Sequence, residues 1–192
     1  VPALFYLSHI ALKTHEYELA AKTLDKILTI DPTADLEQIL AGIAPELAQD
    51  REVLLSALRT SQEKNNPSIL ALIAGLEAQD GLYEQALGNI NHALRKRPKS
   101  TSFILMKANL LMALRDDAAT QAWFAQASRK NKNNVDVRLA EARYYIQMNQ
   151  QQLALEKLEN IIKDHPKADE ALFIAGLTSI DLKQDQKAEH YL

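Results

Sequence analysis

A period of 34 residues constrains this chain more than any other feature of its sequence. Small residues recur at spacings of 34, 32, 34, 34 and 34 residues, namely Ser8, Gly42, Ala74, Ala108, Ala142 and Gly176. Bulky apolar residues follow the same period, at Leu24, Ile90, Phe124, Leu158 and Leu192. Because independent series share one period, the chain is predicted to be an array of one small structural unit.

The residue types within each unit favour a pair of helices. Leu, Ala, Gln, Glu and Lys dominate, and the 192 residues include only five glycines. Small side chains allow two antiparallel helices to approach closely, bulky neighbours fill the space beside them, and a proline ends the second helix. One such pair cannot bury its own apolar face, so it stacks on the next pair. We therefore predict an all-α chain without strands, containing 11 or 12 helices.

This pattern resembles the tetratricopeptide repeat (TPR), a helix–turn–helix of 34 residues with small residues at positions 8 and 20 and proline at position 32. Residues 1–34 carry it as Ser8, Ala20 and Pro32. The resemblance implies a right-handed superhelical solenoid, a single array over 1–192. Its repeats are about 1–34, 35–66, 67–100, 101–134, 135–168 and 169–192, the second degenerate around Pro45 and the last truncated.

The period also predicts where the helices lie. First helices are expected at about Ala3–Thr14, Leu36–Leu47, Ser68–Gln79, Ser102–Leu114, Val135–Met148 and Asp169–Leu182. Second helices are expected at about Tyr17–Ile30, Arg51–Asn65, Tyr83–Lys96, Ala118–Asn131, Gln151–Asp164 and Lys183–Leu192.

Charge and motifs argue against several classes of function. The 22 basic and 25 acidic residues give a net charge of −3, which disfavours nucleic acid as a partner. There is no cysteine, no phosphate-binding loop and no HExxH motif, and no two of the five histidines lie three or four residues apart. The sequence contains no run of 18 apolar residues, so it predicts no transmembrane helix. We expect no enzyme activity, no cofactor and no metal site.

The resemblance also implies where a partner binds. First helices of TPR proteins line a concave groove through positions 2, 5, 9, 12 and 13, which an amphipathic helix or extended peptide can occupy. Positions 9 and 12 of the last repeat hold Leu177 and Ile180. Leu105, Arg143 and Phe173 are the expected binding anchors. The candidate groove residues are Phe5, His9, Leu12, Leu105, Asn109, Met112, Leu139, Arg143, Ile146 and Phe173.

Two functions are compatible with this pattern. The first is a protein–protein interaction scaffold or adaptor that binds a peptide or partner protein in the groove. The alternative is a non-catalytic targeting or substrate-recruiting arm of a larger enzyme or assembly machine. In style, the repeats are similar to long TPR scaffolds of the Gram-negative envelope, such as lipoprotein adaptors of periplasmic proteases, which favours the bacterial periplasm or envelope over the cytoplasm.

Two other surfaces compete with the groove. Basic residues near the ends of second helices, Arg95, Arg129 and Lys163, form a candidate ridge for an acidic partner, although cations there also complement the helix dipole. We also interpret the chain as part of a longer protein with uncapped apolar ends. Ala175 and Leu192 are expected to be exposed there, and to be covered by further chain or by self-association.

Overall fold

The computed structural model describes residues 2–31 and 51–192, which contain eleven α-helices and no strand. The all-α prediction is therefore confirmed over these ranges. The helix predicted at Leu36–Leu47 lies outside the described residues, and so does Pro45.

The helices fall into two compact units, Val1–Thr120 and Gln121–Leu192. The single array predicted over 1–192 stays a prediction. In the first unit α1 packs with α2, α2 and α3 pack against α4, α4 packs with α5, and α5 packs against α6. In the second unit α8 packs with α9, α9 against α10, and α10 with α11. The helices are α1 Pro2–Lys13, α2 Tyr17–Ile30, α3 Arg51–Thr60, α4 Pro67–Gln79, α5 Tyr83–Lys96, α6 Thr101–Ala113, α7 Asp117–Lys130, α8 Val135–Gln147, α9 Gln151–Asp164, α10 Asp169–Asp181 and α11 Asp185–Tyr191.

Most helices begin and end within one residue of their predicted bounds, and α2, α5 and α9 match them at both ends. Two helices differ more. Helix α3 ends at Thr60 instead of Asn65, because the chain turns at Ser61 and Asn66 then caps α4 by accepting a hydrogen bond from the amide of Ser68 at 2.9 Å. Helix α11 begins at Asp185 instead of Lys183.

The periodic small residues are buried where the helices pair. Ala20, Ala86 and Ala154 at position 20 are fully buried, and so are Ala108 and Ala142 at position 8. At Gly176 an added Cβ would lie 2.5 Å from Cγ of Leu192, a distance that real side chains do not adopt. The spacing therefore predicted the close helix contacts correctly.

The turn within each pair has one repeated geometry. Counting from the first residue of each repeat, position 15 has a positive φ in all five described turns. The amide of the next residue bonds a carbonyl five residues back, for example Gln150 to Tyr145 at 2.8 Å and Gln184 to Ser179 at 2.9 Å. This is the Schellman arrangement, which satisfies carbonyls at a helix C-terminus and needs a left-handed residue there. The five residues are His15, Gly81, Arg115, Asn149 and Lys183, with φ between 55° and 76°.

Substitution by alanine is predicted to destabilise the protein at Gly81, which lies in a turn, and to stabilise it at Gly88, which lies inside a helix. No atom lies within 4 Å of a Cβ added at Gly81 or at Gly88, so neither change causes a steric clash. Gly81→Ala should lower the free energy of unfolding by about 1 kcal/mol, because alanine disfavours a positive φ. Gly88→Ala, inside α5, should raise it by about 0.5–1 kcal/mol. Urea unfolding measures both, and a stabilising Gly81→Ala would contradict the assigned turn.

Candidate partner-binding surface

The predicted groove residues of the first unit differ in accessibility. Phe5 and His9 are half-buried on α1, whereas Leu12 is only 1% exposed. On α6, Asn109 is exposed. The other two candidate groove residues on this helix, Leu105 and Met112, are half-buried.

In the second unit, Arg143 and Phe173 are exposed, Ile146 is half-buried and Leu139 is 2% exposed. Leu139 lies in a buried cluster with Leu155 of α9 and with residues of α10, because both helices pack around it. Leu12 and Leu139 therefore belong to the cores of their units, and their assignment to a partner-facing groove was wrong. An apolar side chain that the fold already covers has no area left for a partner.

The prediction for the chain end was half right. Leu192 is 65% exposed, as expected. Ala175 is fully buried in the same cluster as Leu139 and Ala171. Its position on α10 faces the preceding helices, so that prediction was wrong.

Helix α10 carries the clearest exposed apolar stripe of the second unit. Phe173, Leu177 and Ile180 are spaced i, i+4 and i+7, so they share one helix face. Their side chains are 58%, 45% and 51% exposed. The sequence positions identified all three, although only Phe173 entered the candidate set.

Arg143 has a partner that the sequence analysis missed. Its Nη2 donates a hydrogen bond to Oε1 of Glu170, which joins α8 to α10 at positions 9 and 2 of successive repeats. Both side chains are about half exposed. A guanidinium carries five N–H groups, so Arg143 can donate hydrogen bonds to a further carboxylate or carbonyl while Glu170 holds its orientation.

Other charged groups stabilise the fold. Glu77, buried on α4, accepts hydrogen bonds from Arg59 of α3 and Asn89 of α5, both at 2.7 Å. Glu141, buried on α8, pairs with Lys157 of α9 at 2.8 Å. These ion pairs offset the cost of removing the two carboxylates from water. We therefore assign them to the packing of neighbouring helices and not to partner binding.

Burial shifts the pKa of two groups on first helices. The pKa of the Lys107 ammonium on α6 is lowered by desolvation. The pKa of the Tyr145 phenol on α8 is raised, first by desolvation and then by the nearby carboxylate of Glu141. Both shifts arise because partial burial disfavours the charged form of each group.

The three cations of the basic ridge, Arg95, Arg129 and Lys163, are each exposed on their own helix. Arg97, close to Arg95 in sequence, instead forms an ion pair with Asp25 of α2 at 2.9 Å, and Ser68 donates a hydrogen bond to the same carboxylate. Arg95 and Lys163 are exposed in the last turns of α5 and α9. Cations there complement the partial negative charge of the helix C-termini.

Within residues 2–31 and 51–192, no group of three His, Asp or Glu side chains is placed to hold a metal ion. Across the same ranges, no helix combines the length and the apolar character needed to cross a bilayer.

Solved structures of similar fold identify the repeat. A MamA fragment from Desulfovibrio magneticus RS-1 is 15% identical, with a TM-score of 0.54 over 83% of this chain and 92% of that chain. A TPR protein from Parabacteroides merdae is 18% identical, with a TM-score of 0.53 over 99% of this chain and 76% of that chain. The fold is that of a TPR protein. YrrB, a TPR protein with an unusual peptide-binding site, is 16% identical over 90% of each chain, with a TM-score of 0.50. No family model and no curated protein sequence matches the chain.

The buried carboxylate of Glu77 provides a test of the structural role of these charges. Arg59→Ala should cost about 1–3 kcal/mol in the free energy of unfolding, because it removes a partner from a buried acceptor. Lys26→Ala, at an exposed position of α2, is the control and should change it by less than about 0.5 kcal/mol. Equal effects of the two substitutions in urea unfolding would show that Arg59 does not support Glu77.

Proposed function

We propose that this chain is a non-catalytic protein-interaction scaffold, and that it binds a peptide segment of its partner on the first helices of the second unit. The binding surface, named here the α8–α10 surface, consists of Arg143, Ile146, Leu177 and Ile180, with Glu170 beside Arg143. One observation carries the proposal. Positions 9 and 12 of both first helices stay accessible, although the helices around them are packed.

The apolar part of this surface suits a partner side chain. Leu177 and Ile180 lie one turn apart on α10 and are each about half exposed. Ile146, at the position equivalent to Ile180, is half-buried on α8. Apolar side chains grouped in this way form the type of anchor site that binds an amphipathic helix or an extended peptide.

The polar part can orient the bound segment. Arg143 and Glu170 place a cation and an anion next to the apolar residues, and each is about half exposed. A partner carboxylate can bind the free N–H groups of Arg143, and a partner amide can donate to Glu170. Such contacts select the direction and register of a peptide more than they add affinity.

Two further points support a scaffold. The similar fold of YrrB shows that an array of this type can carry a peptide-binding site. In the first unit, α6 presents Asn109 and Met112 at the same two positions, with Leu105 beside them. We include these residues, together with Phe5 and His9 of α1, as candidate partner contacts of the first unit by itself.

The test begins with a photo-crosslinking residue at Ile180 of the full-length protein in its native cells. A matched probe at Asn160, exposed on α9, controls for nonspecific capture. The partner captured only from Ile180 is then purified. Leu177→Ala and Ile180→Ala should each weaken its binding at least about five-fold, the effect of losing a moderate anchor residue. Asn160→Ala should leave the affinity within about two-fold.

Unchanged affinity in both α10 variants would contradict the proposal. If charge reversals at Arg95, Arg129 and Lys163 release the partner instead, the basic ridge is the binding site. The alternative role, as the non-catalytic arm of a larger enzyme or assembly machine, predicts that the same α10 variants slow processing of the partner by the full-length protein.

A further inference from the structure

The accessible positions of the two first helices in the second unit carry more acidic than basic groups. At positions 2, 9, 12 and 13 the charged residues are Asp136 and Arg143 on α8 and Glu170 and Asp181 on α10. Three carboxylates against one guanidinium give these positions a net charge of −2. The guanidinium of Arg143 is already paired with Glu170. Within the described residues, Asp136 and Asp181 form no ion pair.

Asp181 occupies a place that its own helix disfavours. It is the last residue of α10, where the terminal carbonyl groups carry a partial negative charge. Its side chain is exposed, and the neighbouring Lys183, in the turn after the helix, forms no ion pair with it. Asp136 and Glu170 differ, because they lie in the first turns of their helices, where an anion is favoured. Helix stability therefore accounts for these two carboxylates but not for Asp181.

Asp181 lies on the same helix face as the apolar residues of the α8–α10 surface. It follows Leu177 by one helical turn, and Glu170 precedes Leu177 by two turns. Ile180 is adjacent to Asp181 and is also exposed. This face of α10 therefore has a carboxylate at each end and exposed apolar side chains between them. Only the carboxylate of Glu170 has a cation beside it.

Positions 9 and 13 stay accessible when another first helix follows in the chain. Gln147, the equivalent of Asp181, is exposed on α8, and so is Arg143, the equivalent of Leu177. Position 5 behaves differently, because Leu139 on the same helix is buried in a cluster with residues of α10. The accessibility of Leu177 and Asp181 is therefore a property of their positions in the repeat.

We propose that the segment bound at the α8–α10 surface is a cationic amphipathic peptide of the partner protein. An apolar side chain of the segment packs on Leu177 and Ile180, and a Lys or Arg about one helical turn away pairs with Asp181. This inference rests on the proposed function and narrows the chemistry of the partner. Arg143, held by Glu170, then donates hydrogen bonds to a carbonyl of the segment. An acidic segment would meet unpaired carboxylates, so like-charge repulsion selects against it.

The first experiment selects random peptides displayed on phage for binding to the purified chain. Phage that also bind the double variant Leu177→Ala, Ile180→Ala are removed, so the remaining peptides require the apolar part of the surface. Lys and Arg should be enriched over Asp and Glu at one fixed spacing from an apolar residue. Acidic or uncharged selected peptides would overturn this inference and leave the proposed function standing. If no peptide distinguishes the two proteins, both are overturned.

A charge swap then tests the ion pair itself. Asp181→Lys should weaken binding of the selected peptide at least about five-fold, because an attraction becomes a repulsion. Glu156→Lys, the same charge reversal at an exposed position of α9, controls for net charge and should change the affinity less than about two-fold. A cation suits a helix C-terminus, so Asp181→Lys keeps α10 folded. Replacing the basic residue of the peptide by Glu should restore binding to Asp181→Lys, and unchanged affinity of this variant or a failure of the restoration would overturn the proposed pairing.

Discussion

Close approach of paired helices at small side chains is the interaction on which the rest of this structure depends. Within the described residues, the alanines at position 20 and the small residues at position 8 are buried, which leaves room for bulky neighbours such as Leu24 and Leu158 to fill the core. Helix packing at such short distance tolerates little added volume, because protein interiors are packed as densely as organic crystals. The period of the small residues therefore sets the register of the helices, and the register decides which side chains remain for other contacts.

The remaining surfaces follow from that register. A first helix uses one face for its own second helix and a second face for the preceding helices. Positions 9 and 12 are left accessible on α8 and α10, where Arg143 and Leu177 occupy equivalent places.

The sequence predicted the bounds of the helices better than the contacts between successive repeats. Helix bounds and the burial of Ala20, Ala86 and Ala154 follow from propensity and periodicity, which are local properties. The left-handed residue at position 15 was not predicted, because four of the five turns use residues other than glycine. The burial of Leu139 and the ion pair of Arg143 with Glu170 depend on how the next repeat lies against the first, and family positions alone do not contain that information.

The central claim is that position 20 lies at a close helix contact, and Ala154 tests it most directly. Urea unfolding of Ala154→Leu should show a loss of about 1–3 kcal/mol, because the added carbons overpack the contact of α9 with its neighbours. Ala125→Leu, the same change at an exposed position of α7, should alter the free energy of unfolding by less than about 0.5 kcal/mol. Equal stability of the two variants would contradict the assigned register.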